Sequence, residues 1–73
     1  MSQVIEVPEG LIKPSVDLVG EDGNAFAIMG RVQRALRQAG NDDFTVMQYC
    51  EQATAGDYNH LLQVTLAFTE EES

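Results

Sequence analysis

From Asn24 to Gly40 the chain carries a start signal, a periodic apolar stripe and a stop signal in one segment, which predicts a long helix that the rest of the fold must accommodate. Asn24 is a residue type favoured at N-caps, because its side-chain oxygen can accept from backbone N–H groups that the first helical turn leaves unpaired. Gly40 suits the position just past the last turn, where the backbone turns left-handed. Between them, at about 100° per residue, Ala25, Ile28, Met29, Val32, Ala35, Leu36 and Ala39 fall on one broad stripe that predicts the core face. The opposite face carries Ala27, Gly30, Arg31, Arg34, Arg37 and Gln38, with Phe26 on its edge beside Gly30 and Arg37.

A domain of 73 residues has a thin core. At this size a chain buries only about 60 to 65% of the surface that it exposes when unfolded. Cys50 is the only cysteine and no Cys/His cluster is present, so neither an internal disulfide nor a structural metal staples the fold. Self-association would supply further burial, and a homo-oligomer is expected.

Charge narrows the partners. Twelve acidic residues stand against four basic ones for a net charge of −8, and three of those four are Arg31, Arg34 and Arg37. Wide, sequence-independent contact with duplex DNA needs many cations, so it is not expected. The carboxylates are scattered rather than laddered, which argues against mimicry of nucleic acid. No run approaches the roughly 20 apolar residues of a membrane helix. Met1 to Gly10 lacks the basic start and apolar stretch of a signal peptide. A lone cysteine agrees with a reducing compartment. The expectation is a protein that stays in the cytoplasm and needs no membrane partner.

The remaining segments read as short elements. Residues 1 to 14, interrupted by Pro8, Gly10 and Pro14, predict an extended, partly mobile arm able to pack a few aliphatic side chains onto the body or onto a second copy. Residues 15 to 69 form the domain. Ser15 to Gly20 alternates as a strand and ends at the turn signal Glu21-Asp22-Gly23-Asn24. Asp42 and Asp43 start a second helix running to about Thr54, with Phe44, Met47, Cys50 or Glu51, and Thr54 in successive turns. Asp57 caps a third element. There Tyr58, Leu61, Leu62 and Thr65 fit a helix while Leu62, Val64, Leu66 and Phe68 alternate as in a strand, which predicts a helix finishing as a short strand. Residues 70 to 73 read as a solvated acidic tail. The expected class is α+β: a small, mostly helical single domain with three short helices and one or two short strands.

Candidate sites follow from residue chemistry. Guanidinium groups favour phosphate and carboxylate, so Arg31, Arg34 and Arg37 are candidates for an anionic ligand, set against loose pairing with solvent or carboxylates. Ala27 and Gly30 leave a shallow place where a flat ligand or another backbone can approach. Phe26 beside them invites a contact, and Asn24 belongs to the same helix start. The Asp22-Gly23-Asn24 turn has one glycine and no Gly-Lys-Ser/Thr ending, so it reads as a turn and cap rather than a phosphate loop. The Asp-x-Asp-x-Asp-Gly pattern of a calcium loop is absent, and neither metal nor cofactor is expected. Cys50 and His60 could be nucleophile and base, but nothing in the sequence orients a third group. No enzyme is expected. Tyr58 and Phe68 could stack on a base or serve the core.

The strings Val16-Asp17-Leu18-Val19-Gly20, Asp22-Gly23-Asn24-Ala25-Phe26-Ala27-Ile28, Gly30-Arg31-Val32, Ala35-Leu36-Arg37, Ala39-Gly40, Ala53-Thr54-Ala55-Gly56-Asp57-Tyr58 and Leu61-Leu62 resemble small uncharacterised proteins of bacteriophages, prophages and plasmids. The resemblance spans about residues 14 to 66 and implies an accessory role in a mobile element. Joined to the arginine face, it gives the leading expectation of an anti-defence binding protein: a homo-oligomer that sequesters a phosphorylated nucleotide-type signal of bacterial immunity. The alternative is an inhibitor or adaptor that docks on a host protein through Phe26 and the Ala27/Gly30 groove.

Overall fold

The computed structural model describes residues 5–16 and 24–71. In chain order these form β1 (Ser15–Val16), α1 (Ala25–Gln38), α2 (Asp43–Ala53), α3 (Tyr58–Phe68) and β2 (Glu70–Glu71). Each helix begins where its cap chemistry places it. Asn24 accepts from the Phe26 N–H at 2.8 Å, Asp42 from that of Thr45 at 2.9 Å and Asp57 from that of His60 at 2.9 Å. Hydrogen bonds from the Thr45 backbone and side chain to its charged form hold the Asp42 carboxyl below its usual pKa.

Helix α1 stops as expected. The N–H of Asn41 donates to the Leu36 carbonyl and that of Gly40 to the Arg37 carbonyl, each at 3.1 Å, while Gly40 takes φ +104°. This pair of bonds is the Schellman closure, which satisfies carbonyls that the last turn would leave bare.

Three residues from each helix build the core: Ile28, Val32 and Leu36 from α1, Val46, Tyr49 and Ala53 from α2, and Leu61, Val64 and Phe68 from α3. Their spacings of three and four keep each trio on one helical face. Tyr49 and Phe68, both fully buried, meet edge to face with ring centroids 5.5 Å apart. The Tyr49 hydroxyl lies 2.7 Å from Thr65 Oγ1 on α3, so the one phenol inside the core has a partner. Among the described residues no buried side-chain nitrogen or oxygen lacks a hydrogen bond.

Helix α2 departs from the face read off the sequence. Phe44 and Met47 are exposed, and Thr45, Val46, Tyr49 and Ala53 turn inward. Local periodicity weighed Phe44 and Met47 by hydrophobicity; the fold instead buries the face on which Tyr49 reaches both Phe68 and Thr65.

Residues 5–14 of the N-terminal arm are docked rather than mobile, residues 1–4 lying outside the described residues. The side-chain amide of Gln52 exchanges two hydrogen bonds with the Glu6 backbone, at 2.8 and 2.6 Å, and that of Asn41 does the same with Ile12, at 2.9 and 2.8 Å. Each amide thereby imitates a neighbouring strand. Ile5 and Leu11 pack against the core, and the Leu11 N–H closes a turn on the Pro8 carbonyl.

Strands β1 and β2 are parallel, pairing Ser15 with Glu70 and Val16 with Glu71. Glu70 and Glu71 are therefore not a free acidic tail: the Glu70 N–H donates to the Pro14 carbonyl at 2.8 Å. The ambiguous third element is a helix through Phe68, followed by this pairing. Residues 17–20 of the expected strand and Glu21-Asp22-Gly23 of the expected turn lie outside the described residues. The protein is a mostly helical single small domain. Its α+β character amounts to two paired residues per strand rather than a sheet of any extent.

Two measurements test the core. Replacing Tyr49 with Phe strands the buried Thr65 hydroxyl and should destabilise by about 1–3 kcal/mol in urea unfolding, whereas adding Thr65→Val should recover most of the loss because both polar partners are then gone. Burial pushes the Tyr49 phenol up from 10.0 to about 12, with the Thr65 hydrogen bond opposing and Cys50 adding slightly. A raised folded-state pKa contributes stability that is complete below pH 10. It is lost as pH rises from about 10 to 12, so alkaline unfolding should begin in that window and be delayed in the Tyr49→Phe/Thr65→Val variant.

Candidate functional site

With Ile28, Val32 and Leu36 buried, helical geometry turns Phe26, Gly30 and Arg34 outward along one row at intervals of four. These three, with Ala27 and Arg31, line a shallow groove of about 270 Å³. Arg31 and Arg34 also border a second depression, of about 230 Å³, whose far side is Ser15 and Val16 of β1. The two guanidinium side chains therefore stand between two concavities, with Arg34 exposed and Arg31 half-buried.

A third concavity, of about 280 Å³, opens on the other side of Phe26. Helix α1 supplies Ala25, Phe26 and Met29, and the junction between α2 and α3 supplies Ala53, Thr54, Gly56, Asp57, Tyr58 and Leu61. Phe26, 84% exposed, lines both this apolar groove and the basic one.

Of the seven residues singled out from sequence, five share the basic groove: Phe26, Ala27, Gly30, Arg31 and Arg34. Asn24 serves by capping α1 and fixing the backbone at Phe26. Arg37 is placed elsewhere. Its guanidinium bonds Asp43 at 2.5 Å, tying the last turn of α1 to the first turn of α2, with both side chains largely exposed. That arrangement suits both helix dipoles, a cation at a C-terminus and an anion at an N-terminus. Sequence spacing put Arg37 on the outward face, but only the fold brings Asp43 under it.

Among the described residues nothing packs against Gly30: a Cβ built there meets none of their atoms within 4 Å, and the residue sits inside α1, where glycine weakens a helix. The open space beside it is the basic groove itself.

The other chemical candidates lie outside the basic groove. Cys50 is half-buried, and burial pushes its thiol up while the Arg37 charge offsets part of the effect, the opposite of what a thiolate nucleophile requires. The His60 imidazole lies over Gly56, where a Cβ would meet it at 2.8 Å. Phe68 is spent in the core, whereas Tyr58 remains 44% exposed at the apolar groove. Among the described residues no group of three or more His, Cys, Asp or Glu could hold a metal ion, and no helix is long and apolar enough to cross a membrane.

No family model, curated protein or solved structure matches this chain.

Sequence reasoning named Tyr58 but did not join it to Phe26, because the apolar groove exists only once the α2–α3 junction meets the start of α1. The one local signal was the pair Asp57-Tyr58 at a helix start, which fixes where the ring emerges. Because Gly30 faces open space, Gly30→Ala should raise stability by about 0.5–1 kcal/mol, read as a higher urea midpoint with an unchanged slope.

Proposed function

We propose that this protein is a non-enzymatic binding protein that captures a small phosphorylated ligand of nucleotide type on the Arg31/Arg34 face of α1. The observation that carries this reading is the composition of one groove: two arginines, an interior glycine with open space above it, and an exposed aromatic. Guanidinium groups bind phosphate oxygens in pairs, with geometry that a lysine does not offer. An exposed ring stacks on any base, and a glycine lets a ligand approach the helix backbone. The acidic remainder of the molecule repels long polyanions, which leaves a two-arginine patch suited to a compact anion.

Its biological setting, in this reading, is a phage or mobile element acting in the cytoplasm of a bacterial host. There the protein inhibits immunity by stoichiometric capture of a nucleotide signal, a task that needs no catalytic group. The support is the resemblance of residues 14 to 66 to small phage and plasmid proteins. A homo-oligomer fits the exposed apolar side chains Phe44, Met47 and Leu66, whose burial against a second copy would add to a core of nine residues. The second reading, docking on a host protein, is favoured by Phe26, since so exposed an aromatic is also a natural interface anchor.

Calorimetric titration with a panel of linear and cyclic nucleotides separates the two. Arg31→Glu and Arg34→Glu should each weaken binding by at least about tenfold, the worth of one charge-assisted hydrogen bond, with the helical circular dichroism unchanged. Arg37→Ala should cost less, and Gly30→Ala should weaken binding while raising stability. Nucleotide binding that ignores both charge reversals overturns the proposal; a stoichiometric host protein recovered without any nucleotide moves the assignment to the docking reading.

A further inference from the structure

We infer that the apolar groove beyond Phe26 seats the nucleobase of that ligand and that Asp57 selects the base, an inference that rests on the phosphate reading of the arginine face. The groove is built for a flat apolar body: Ala25, Met29, Ala53 and Leu61 line it, and the aromatic rings of Phe26 and Tyr58 stand at it still exposed to solvent. Exposed rings on a groove that shares a wall with a cationic patch offer stacking faces to a base whose phosphates lie on the other side. Arg31 follows Phe26 by five residues, about 7.5 Å along the helix axis, a span that one nucleotide bridges.

The polar content of the groove sets the orientation. Asp57 lines it, and its Oδ1 already accepts the His60 N–H at 2.9 Å, a capping bond that fixes the carboxylate in place. An ionised carboxylate only accepts, so the group facing it must donate. It repels phosphate, which therefore lies toward Arg31 and Arg34. The ligand then has hydrogen-bond donors at one end, a flat middle and an anion at the other. Guanine meets this description best. Its adjacent N1–H and N2–H donors match the two oxygens of a carboxylate, whereas hypoxanthine offers only N1–H there and uracil a single imide N–H.

Titration of the full chain with GDP, IDP, UDP and inorganic pyrophosphate tests the seat. GDP should bind about tenfold more tightly than IDP, the value of one charge-assisted hydrogen bond, and pyrophosphate more weakly than either. Asp57→Asn should erase the preference for GDP over IDP without unfolding α3, because asparagine caps a helix as well as aspartate does. Tyr58→Ala should weaken GDP and leave pyrophosphate unchanged. Equal affinity for all four probes, unaltered by Asp57→Asn and Tyr58→Ala but lost in Arg34→Glu, would overturn the base seat and leave the arginine reading standing. Failure of every probe, pyrophosphate included, to bind would overturn the arginine reading and the seat with it.

Discussion

Tyr49 is the residue on which the packing turns. Its ring is the largest fully buried side chain, it meets Phe68 edge to face, and its hydroxyl must be satisfied inside the core by Thr65. An unpaired phenol there would cost more than most single contacts contribute, so the relative rotation of α2 and α3 is set to within hydrogen-bond tolerance. Once those two helices are registered, α1 has one apolar stripe to lay across them, and Ile28, Val32 and Leu36 take that place. The outward row of Phe26, Gly30 and Arg34 is a consequence of that registration.

The ends of so small a domain are held by polar bonds as well as by the packing of Ile5 and Leu11. Asn41 completes the closure of α1 through its backbone N–H, while its side chain donates to the Leu36 carbonyl and brackets Ile12 of the arm. Gln52 brackets Glu6 in the same way from α2. The first and last described elements then meet in parallel at β1 and β2, with all three helices forming the crossover between them. Parallel pairing needs a crossover connection, and here the whole domain is that connection. The arrangement brings Val16 to the edge of the arginine face.

What the sequence made legible was local. Asn24, Asp42, Asp57 and Gly40 act within four residues of themselves, and each stands at the boundary its chemistry predicted. The outward position of Arg31 and Arg34 was legible for the same reason, since it follows from helical spacing and a strong opposite stripe. Illegible features all needed a partner distant in the chain. The buried face of α2 depends on Thr65, sixteen residues from Tyr49, and no reading of Phe44 and Met47 alone could reveal it. The docking of the arm depends on amide side chains 29 and 46 residues away. The pairing of Glu70 with Ser15 placed in a strand two residues that composition marks as tail. The apolar half of the site was missed on the same ground, because its walls come from three helices.

Gly30 is where the two halves of the molecule disagree. Local propensity asks for alanine inside a helix, no described residue stands in its way, and the chain has glycine. A protein with a thin core and no covalent staple has little stability to spare, so a residue that weakens its longest helix calls for a reason outside packing. The groove offers one: a methyl group at Gly30 would stand between Phe26 and Arg34, in the space that the proposed ligand would occupy. Conflicts between local preference and observed residue concentrate at functional positions, and this one falls on the face that the core does not use.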